Sequence, residues 1–253
     1  MNISRNSDRY IGQYFIELGT VGSTNNYAME QVHAGMAFHG TIYFAYEQSA
    51  GKGQRGKSWT SAPGQNITMS IVLQPEFLQP VQQFILSVTM ALACYDFLKK
   101  YTIQGWSIKW PNDIYWNDRK AGGILIESIC KGNKWLFAIC GIGININQVE
   151  FPDYIHNAIS LRQITGKNFS TPELAKELGH LIDKKYNELK EKGAAKLLSQ
   201  YNSLLYKRNQ TVKLKKGNIV FETIIKEVTP HGQLVTYDTL DKSFDLGEVE
   251  WVI

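Results

Sequence analysis

Cysteine is scarce in this chain of 253 residues, and the three present, Cys94, Cys130 and Cys140, are odd in number and lack metal-ligand spacing. In their apolar surroundings they read as reduced core thiols, the usage expected of a cytoplasmic protein. Histidine is equally thin: His33, His39, His156, His180 and His231 are scattered, and no pair has the helical spacing of a zinc site. Long hydrophobic runs are missing too. The most apolar stretch, residues 84–98, is interrupted by Asp96 and is too short for a membrane span, and the N-terminus shows no apolar core of a signal peptide. Charge is not concentrated in one sign. The net +4 comes without a Lys/Arg block, which suits a phosphate-bearing small molecule and argues only weakly for nucleic acid. No internal repeat and no low-complexity linker is present. With 12% aromatic and 43% hydrophobic residues, the chain is globular and long enough for one large domain or one large and one small.

What stands out is glycine mixed with cations. Residues 49–70 set Gly51, Gly53, Gly56 and Gly64 around Lys52, Arg55 and Lys57. Glycine lets backbone N–H groups approach a guest closely and the cations favour an anion such as a nucleotide phosphate. Gly51-Lys52-Gly53-Gln54-Arg55-Gly56-Lys57-Ser58 also satisfies the phosphate-loop pattern G-x-x-x-x-G-K-[ST]. That pattern works only where a helix follows, because the helix N-terminus supplies donors and dipole. Here residues 41–46 read as a strand before it, but Pro63-Gly64 and the strand-like run 66–73 follow it. The expectation is a basic loop between two strands.

In chain order, residues 14–18 read as a first strand, and Ser23 or Thr24 is placed to cap a helix over 26–32, to contact a ligand, or both. Pro80 opens a long helix apolar on two faces, assigned to packing. Trp106 to Trp116 reads as a strand and a Pro-Asn-Asp corner, followed by a turn at 117–119 and a strand that begins with Lys120. Lys109, Asn112, Asp113 and Lys120 thus gather around one tight corner, with Gly122-Gly123 leaving room at the backbone. The apolar strand 136–147 carries Gly141, Gly143 and Asn145 on one face, open either to a ligand or to a packed helix. Ser170-Thr171-Pro172-Glu173 starts a helix to about 191, and a second amphipathic stretch reaches 206. From 210 onward, five short alternating segments (211–214, 219–228, 234–237, 244–246, 249–253) predict a small β-barrel appended to an α/β unit.

Taken together, Ser23-Thr24-Asn25, the run from Gln48 to Trp59, Lys109-Trp110-Pro111-Asn112-Asp113, Lys120-Ala121-Gly122-Gly123-Ile124-Leu125-Ile126-Glu127 and Gly141-Ile142-Gly143-Ile144-Asn145 resemble, in order and spacing, biotin protein ligases. The resemblance covers nearly the whole chain. It implies an α+β fold: a mixed-sheet catalytic domain of the biotin/lipoate ligase type, related to class II synthetases, over 1–206, and an SH3-like domain over 207–253. It implies a two-step reaction in which ATP and biotin give biotinyl-5'-AMP, and biotin then passes to a lysine of a biotin carboxyl carrier domain of a carboxylase such as acetyl-CoA carboxylase. On this resemblance Lys120, Arg55, Asp113 and Lys109 are catalytic. Ser23, Thr24, Asn25, Gln48, Gly51, Lys52, Gly53, Gln54, Lys120 and Gly123 bind biotin. Lys52, Arg55, Trp59, Asn112, Lys120 and Asn145 bind the nucleotide. Mg²⁺ is expected to shield the triphosphate. The family usually carries arginine where this chain has Lys52 and Gln54, which loses one bidentate fork and one charge, and Arg55 is expected to supply part of the missing field. Only about twenty residues precede Ser23, so no repressor-type DNA-binding domain is expected, nor a membrane partner; a homodimer fits the resemblance. The rivals are a lipoate or octanoate ligase of the same fold, a P-loop NTPase, and a non-enzymatic binding module centred on the barrel.

Overall fold

The computed structural model describes residues 9–155 and 157–252, in two sheets. His156 lies outside the described residues. The larger sheet holds β1 (Phe15–Val21), β2 (Ile42–Gln48), β3 (Asn66–Leu73), β4 (Trp106–Lys109), β5 (Asp113–Trp116), β6 (Arg119–Lys131) and β7 (Lys134–Asn145), in spatial order β1-β2-β3-β7-β6-β5-β4. β1 and β2 are parallel, a pairing that requires a crossover, and helix α1 (Thr24–His33) supplies it. The remaining neighbours are antiparallel.

Alternation sends the two faces of this sheet to different uses. Ile67, Met69, Ile71 and Leu73 of β3 join Ala138, Cys140, Ile142 and Ile144 of β7 in the main core, beneath α2 (Gln83–Leu98) and α4 (Thr171–Lys192). With the turn before it, α2 is apolar and long enough to cross a membrane by composition alone. Twelve of its sixteen residues are instead buried in the protein, each large one contributing about 1.5–3 kcal/mol. On the opposite face, register builds three cross-strand rows: Val72/Ile139/Glu127, Ser70/Gly141/Leu125 and Thr68/Gly143/Gly123. Ala28 of α1 packs with Val72, Ile139 and Tyr43 at the first row, leaving the glycine-bearing rows as the floor of a pocket.

A short helix, α3 (Leu161–Thr165), is closed at its start by a capping box between Ser160 and Gln163 and was not legible in the periodicity. After α4, Gly193 (φ 74°) breaks the chain into α5 (Ala194–Ser203). This helix stops short of 206 because the next residues pair with the edge of β4: Ile108 N–H donates to Leu204 O and Tyr206 N–H to Ile108 O, both at 2.9 Å. The second sheet is antiparallel and of the SH3-like type, comprising β8 (Thr211–Lys216), β9 (Ile219–Val228), β10 (Leu234–Tyr237), β11 (Asp241–Phe244) and β12 (Glu250–Val252), in order β11-β10-β9-β8-β12. The fourth strand ends at Phe244 where the sequence suggested it began; residues 245–248 form a turn, with Asp245 N–H bound to the Glu248 carboxylate. The two sheets are tied by buried Asn202, whose amide exchanges both bonds with the Val228 backbone, and by Trp110 Nε1, which donates to Gly232 O at 2.9 Å. Cys94 and Cys140 are free and buried, and burial pushes the Cys94 thiol up to about 12. Cys130 is exposed, correcting its assignment to the core: it stands near the end of β6, past the covered part of the sheet.

Candidate functional site

No helix follows Ser58. Lys52 and Ser58 form an isolated antiparallel bridge around a 3-10 turn at Gln54–Gly56, and the chain then passes to β3, so the loop is not a P-loop. Gly51 serves this hairpin: a Cβ there would stand 2.3 Å from Trp59 O, and Gly51 O accepts Trp59 N–H. The loop roofs an inner pocket lined by Ser23, Thr24, Asn25, Gln48, Lys52, Gly53, Gln54, Trp59, Asn112, Lys120 and Gly123 with the glycine rows of β7.

The polar end of this cavity is the start of α1. Ser23 is the N-cap by backbone geometry, yet its hydroxyl makes no capping bond. Thr24 N–H donates to Gln48 Oε1 at 2.7 Å, and the Thr24 hydroxyl reaches the same oxygen at 3.1 Å. Gln48 therefore satisfies the first of the four helix N–H groups that lack an intrahelical partner, while the Ser23 hydroxyl, which makes no capping bond, lines the pocket. Buried Ser70 Oγ lies 2.7 Å from Thr24 Oγ1 and 2.6 Å from Asn25 Oδ1, and Asn25 Nδ2 donates to Glu127 Oε2 at 2.7 Å. The second Glu127 oxygen meets Lys52 Nζ at 3.4 Å. The glycine face of β7 meets the start of a helix, one of the two alternatives considered for it, and also the glycine loop. A Cβ on Gly141 would stand 2.4 Å from Asn25 Oδ1, and one on Gly143 2.4 Å from the Trp59 indole, so helix start and loop both press on bare backbone.

An outer cavity shares Gly53, Gln54, Trp59, Asn112 and Lys120 with the inner one and adds Arg55, Lys57, Lys109 and Asp113. Its far wall is the second sheet, through Leu246, Gly247, Glu250 and Trp251. Lys120 Nζ pairs with Asp113 Oδ1 at 2.6 Å across Gly123. Asn112 Nδ2 is committed to Ile124 O at 2.6 Å. Lys109 is 7% exposed and boxed by the rings of Tyr115 (4.7 Å), Trp251 (5.1 Å) and Tyr206 (5.9 Å), with Nζ donating to the Tyr115 hydroxyl at 3.1 Å. Burial holds its amine well below the ordinary lysine range, to about 8, against the pull of Asp113 and with the push of Lys120 and Lys57. Arg55 sits at φ 56°, a left-handed position uncommon outside glycine, and its guanidinium lies against Gly247: a Cβ there would stand 2.6 Å from Arg55 Cζ. Four cations against two carboxylates make this cavity a host for anions.

Of the residues singled out in the sequence, Gly51 lines neither cavity, and nor does Asn145. Asn145 is buried, and its amide donates to Ile159 O at 3.2 Å and Lys120 O at 3.4 Å, bracing the strand behind Lys120. Ser70 and the second-sheet wall were not picked out, and Glu127 only as the last residue of a motif, without a role. Their only sequence signal was the odd polar residue in an apolar strand.

Fold and site together define a mixed-sheet α+β scaffold with a two-part cleft, roofed by a basic glycine loop and closed by an SH3-like sheet. The model of the Biotin/lipoate A/B protein ligase family matches residues 19–145, half of the chain, and the chain belongs to that family. It is 33% identical over 182 residues to the bifunctional ligase/repressor BirA of Bacillus spizizenii, covering 70% of this chain and 55% of that protein. To BirA of Escherichia coli it is 29% identical over 235 residues, 92% of this chain and 72% of that one. The biotin protein ligase of Aquifex aeolicus, solved with biotin and ATP, superposes with a TM-score of 0.80 at 27% identity, covering 94% of this chain and 98% of that one. The chain thus spans about half the length of the Bacillus relative.

Proposed function

We propose that the chain is an ATP-dependent biotin protein ligase that forms biotinyl-5'-AMP and transfers biotin to a lysine of a carboxyl carrier domain. The observation that carries this reading is a shortage of protons in the inner pocket. Thr24 N–H and the Thr24 hydroxyl both point at Gln48 Oε1, so Ser70 has one proton for two acceptors, Thr24 Oγ1 and Asn25 Oδ1. A ligand that brings N–H groups completes the set, while the Ser23 hydroxyl and the Gln48 amide nitrogen, neither hydrogen-bonded among the described residues, remain to donate to a carbonyl. A cyclic urea carries that combination, whereas a dithiolane or an alkyl chain has no N–H to give. The complex of the Aquifex relative with biotin and ATP supports the same ligands.

In the first step a carboxylate oxygen of biotin attacks the α-phosphorus of ATP and the bond to the bridging oxygen breaks, releasing pyrophosphate. Charge grows on the phosphate oxygens, and Lys120, Arg55 and the glycine-loop amides are assigned to meet it. In the second step an unprotonated lysine amine attacks the acyl carbon, AMP leaves, and the new amide sheds a proton. Asp113 is assigned to orient that amine and take its proton. Among the described residues no group of three or more His, Cys, Asp or Glu could hold a metal. Mg²⁺ is proposed to arrive on the triphosphate, where it would neutralise phosphate charge. The reading places the protein in the cytoplasm, divides it at 206/207 and includes a homodimer.

The test is incubation with ATP, Mg²⁺ and equal biotin, lipoate and octanoate without carrier, followed by mass spectrometry. Biotinyl-AMP alone is expected. Lipoyl- or octanoyl-AMP moves the function to the acyl rival, and ADP without any adenylate overturns the reading. In the same assay Arg55→Ala is expected to slow adenylation at least about tenfold, as loss of a charge-assisted contact to a developing anion does.

A further inference from the structure

We propose that Glu127 is a positioning residue for the ligand head group and acts through Asn25; the proposal rests on the biotin-ligase reading. Asn25 is 3% exposed and has two partners: Glu127 Oε2, 2.7 Å from its Nδ2, and the Ser70 hydroxyl, 2.6 Å from its Oδ1. The Ser70 hydroxyl can turn to donate or accept, so it tolerates the Asn25 amide either way round. The Glu127 carboxylate only accepts. It therefore requires the amino group of Asn25 on its side and sends the carbonyl oxygen to the pocket side, over Gly141. Register places Glu127 for this role: Leu125 and Glu127 share a face of β6, one row beyond the pocket floor, where Val72 and Ile139 complete the row.

Glu127 also touches the loop, but the contact to Lys52 is long at 3.4 Å, and both side chains are about a third or more exposed. Such a pair holds a loop weakly. The bond to a buried amide is the stronger of the two, so the effect of Glu127 is assigned to Asn25 and not to the roof.

The proposal separates from a plain packing role through a double-mutant cycle read by calorimetric binding of biotin. Glu127→Ala is expected to weaken biotin about tenfold or more, because the amide then presents N–H to an N–H of the ligand. In an Asn25→Ala background the same change is expected to move the affinity less than about twofold, since the group it positions is gone. Glu127→Gln, of the same shape but able to donate or accept, is expected between the two, and it carries the cycle if the alanine variant does not fold. Independently, the side-chain amide resonance of Asn25 is expected to shift in both variants without a ligand. Additive effects in the cycle, or wild-type affinity in Glu127→Ala, overturn the proposal while leaving the biotin reading intact. A wild-type chain that binds no biotin overturns both.

Discussion

Lys109 shows how much one residue is set by surroundings that its sequence neighbours do not reveal. Its unfolded amine titrates near 10.5 and its native one near 8, so between those values the unfolded chain keeps a proton that the native one has lost. Stability is therefore expected to rise as pH climbs from about 8 towards 10.5, and below 8 the native state bears the full cost of a buried cation. That cost is roughly 3 kcal/mol from the size of the shift. Lys109→Met, which keeps the stem packed in its aromatic box, is expected to flatten this window when unfolding by denaturant is compared at pH 7 and pH 9.5. Lys109, Asn112, Asp113 and Lys120 were legible as a cluster because a hairpin corner forces them together. The box was not: Tyr206 and Trp251 lie 97 and 142 positions away in the chain, and nothing local in either announces a lysine.

Among the elements, α1 and the glycine loop carry the design. The helix begins at Thr24, two residues before the periodicity suggested, because a side chain from β2 satisfies its first donor. Gln48→Ala is thus expected to cost about 1 kcal/mol of stability without any ligand, the usual worth of an N-cap, and to speed hydrogen exchange across the first turn of α1. Unchanged denaturation midpoints would show that water replaces Gln48 there without loss. The loop itself was readable, since Pro63-Gly64 rules out a helix whatever the letters before it spell. β5 was harder to see: it has only four residues, between the corner that separates it from β4 and the turn at 117–118. The glycines of β7 announced a close approach, but both visitors come from far along the chain, so their identity was open.

At the scale of the molecule, the small sheet is a wall of the site as well as an appendage. Asn202→Ala would leave the N–H and C=O of Val228 buried and unpaired at the junction, and the expected cost is about 2–3 kcal/mol, read as a lower denaturation midpoint. Four of the five strands were legible from alternation and turn signals, and the fourth was placed where it in fact ends; their docking was not legible, because it runs through single contacts such as Trp110 to Gly232 and Arg55 against Gly247. The shared outer cavity has a thermodynamic corollary. A guest held by both sheets at once works on the seam by mass action, and linkage is reciprocal. Whatever factor a nucleotide contributes to the closing of the two sheets, loosening them must take back from the nucleotide. A substitution at Asn202, which lines neither cavity, is then expected to weaken ATP by the same factor that saturating ATP restores to the junction.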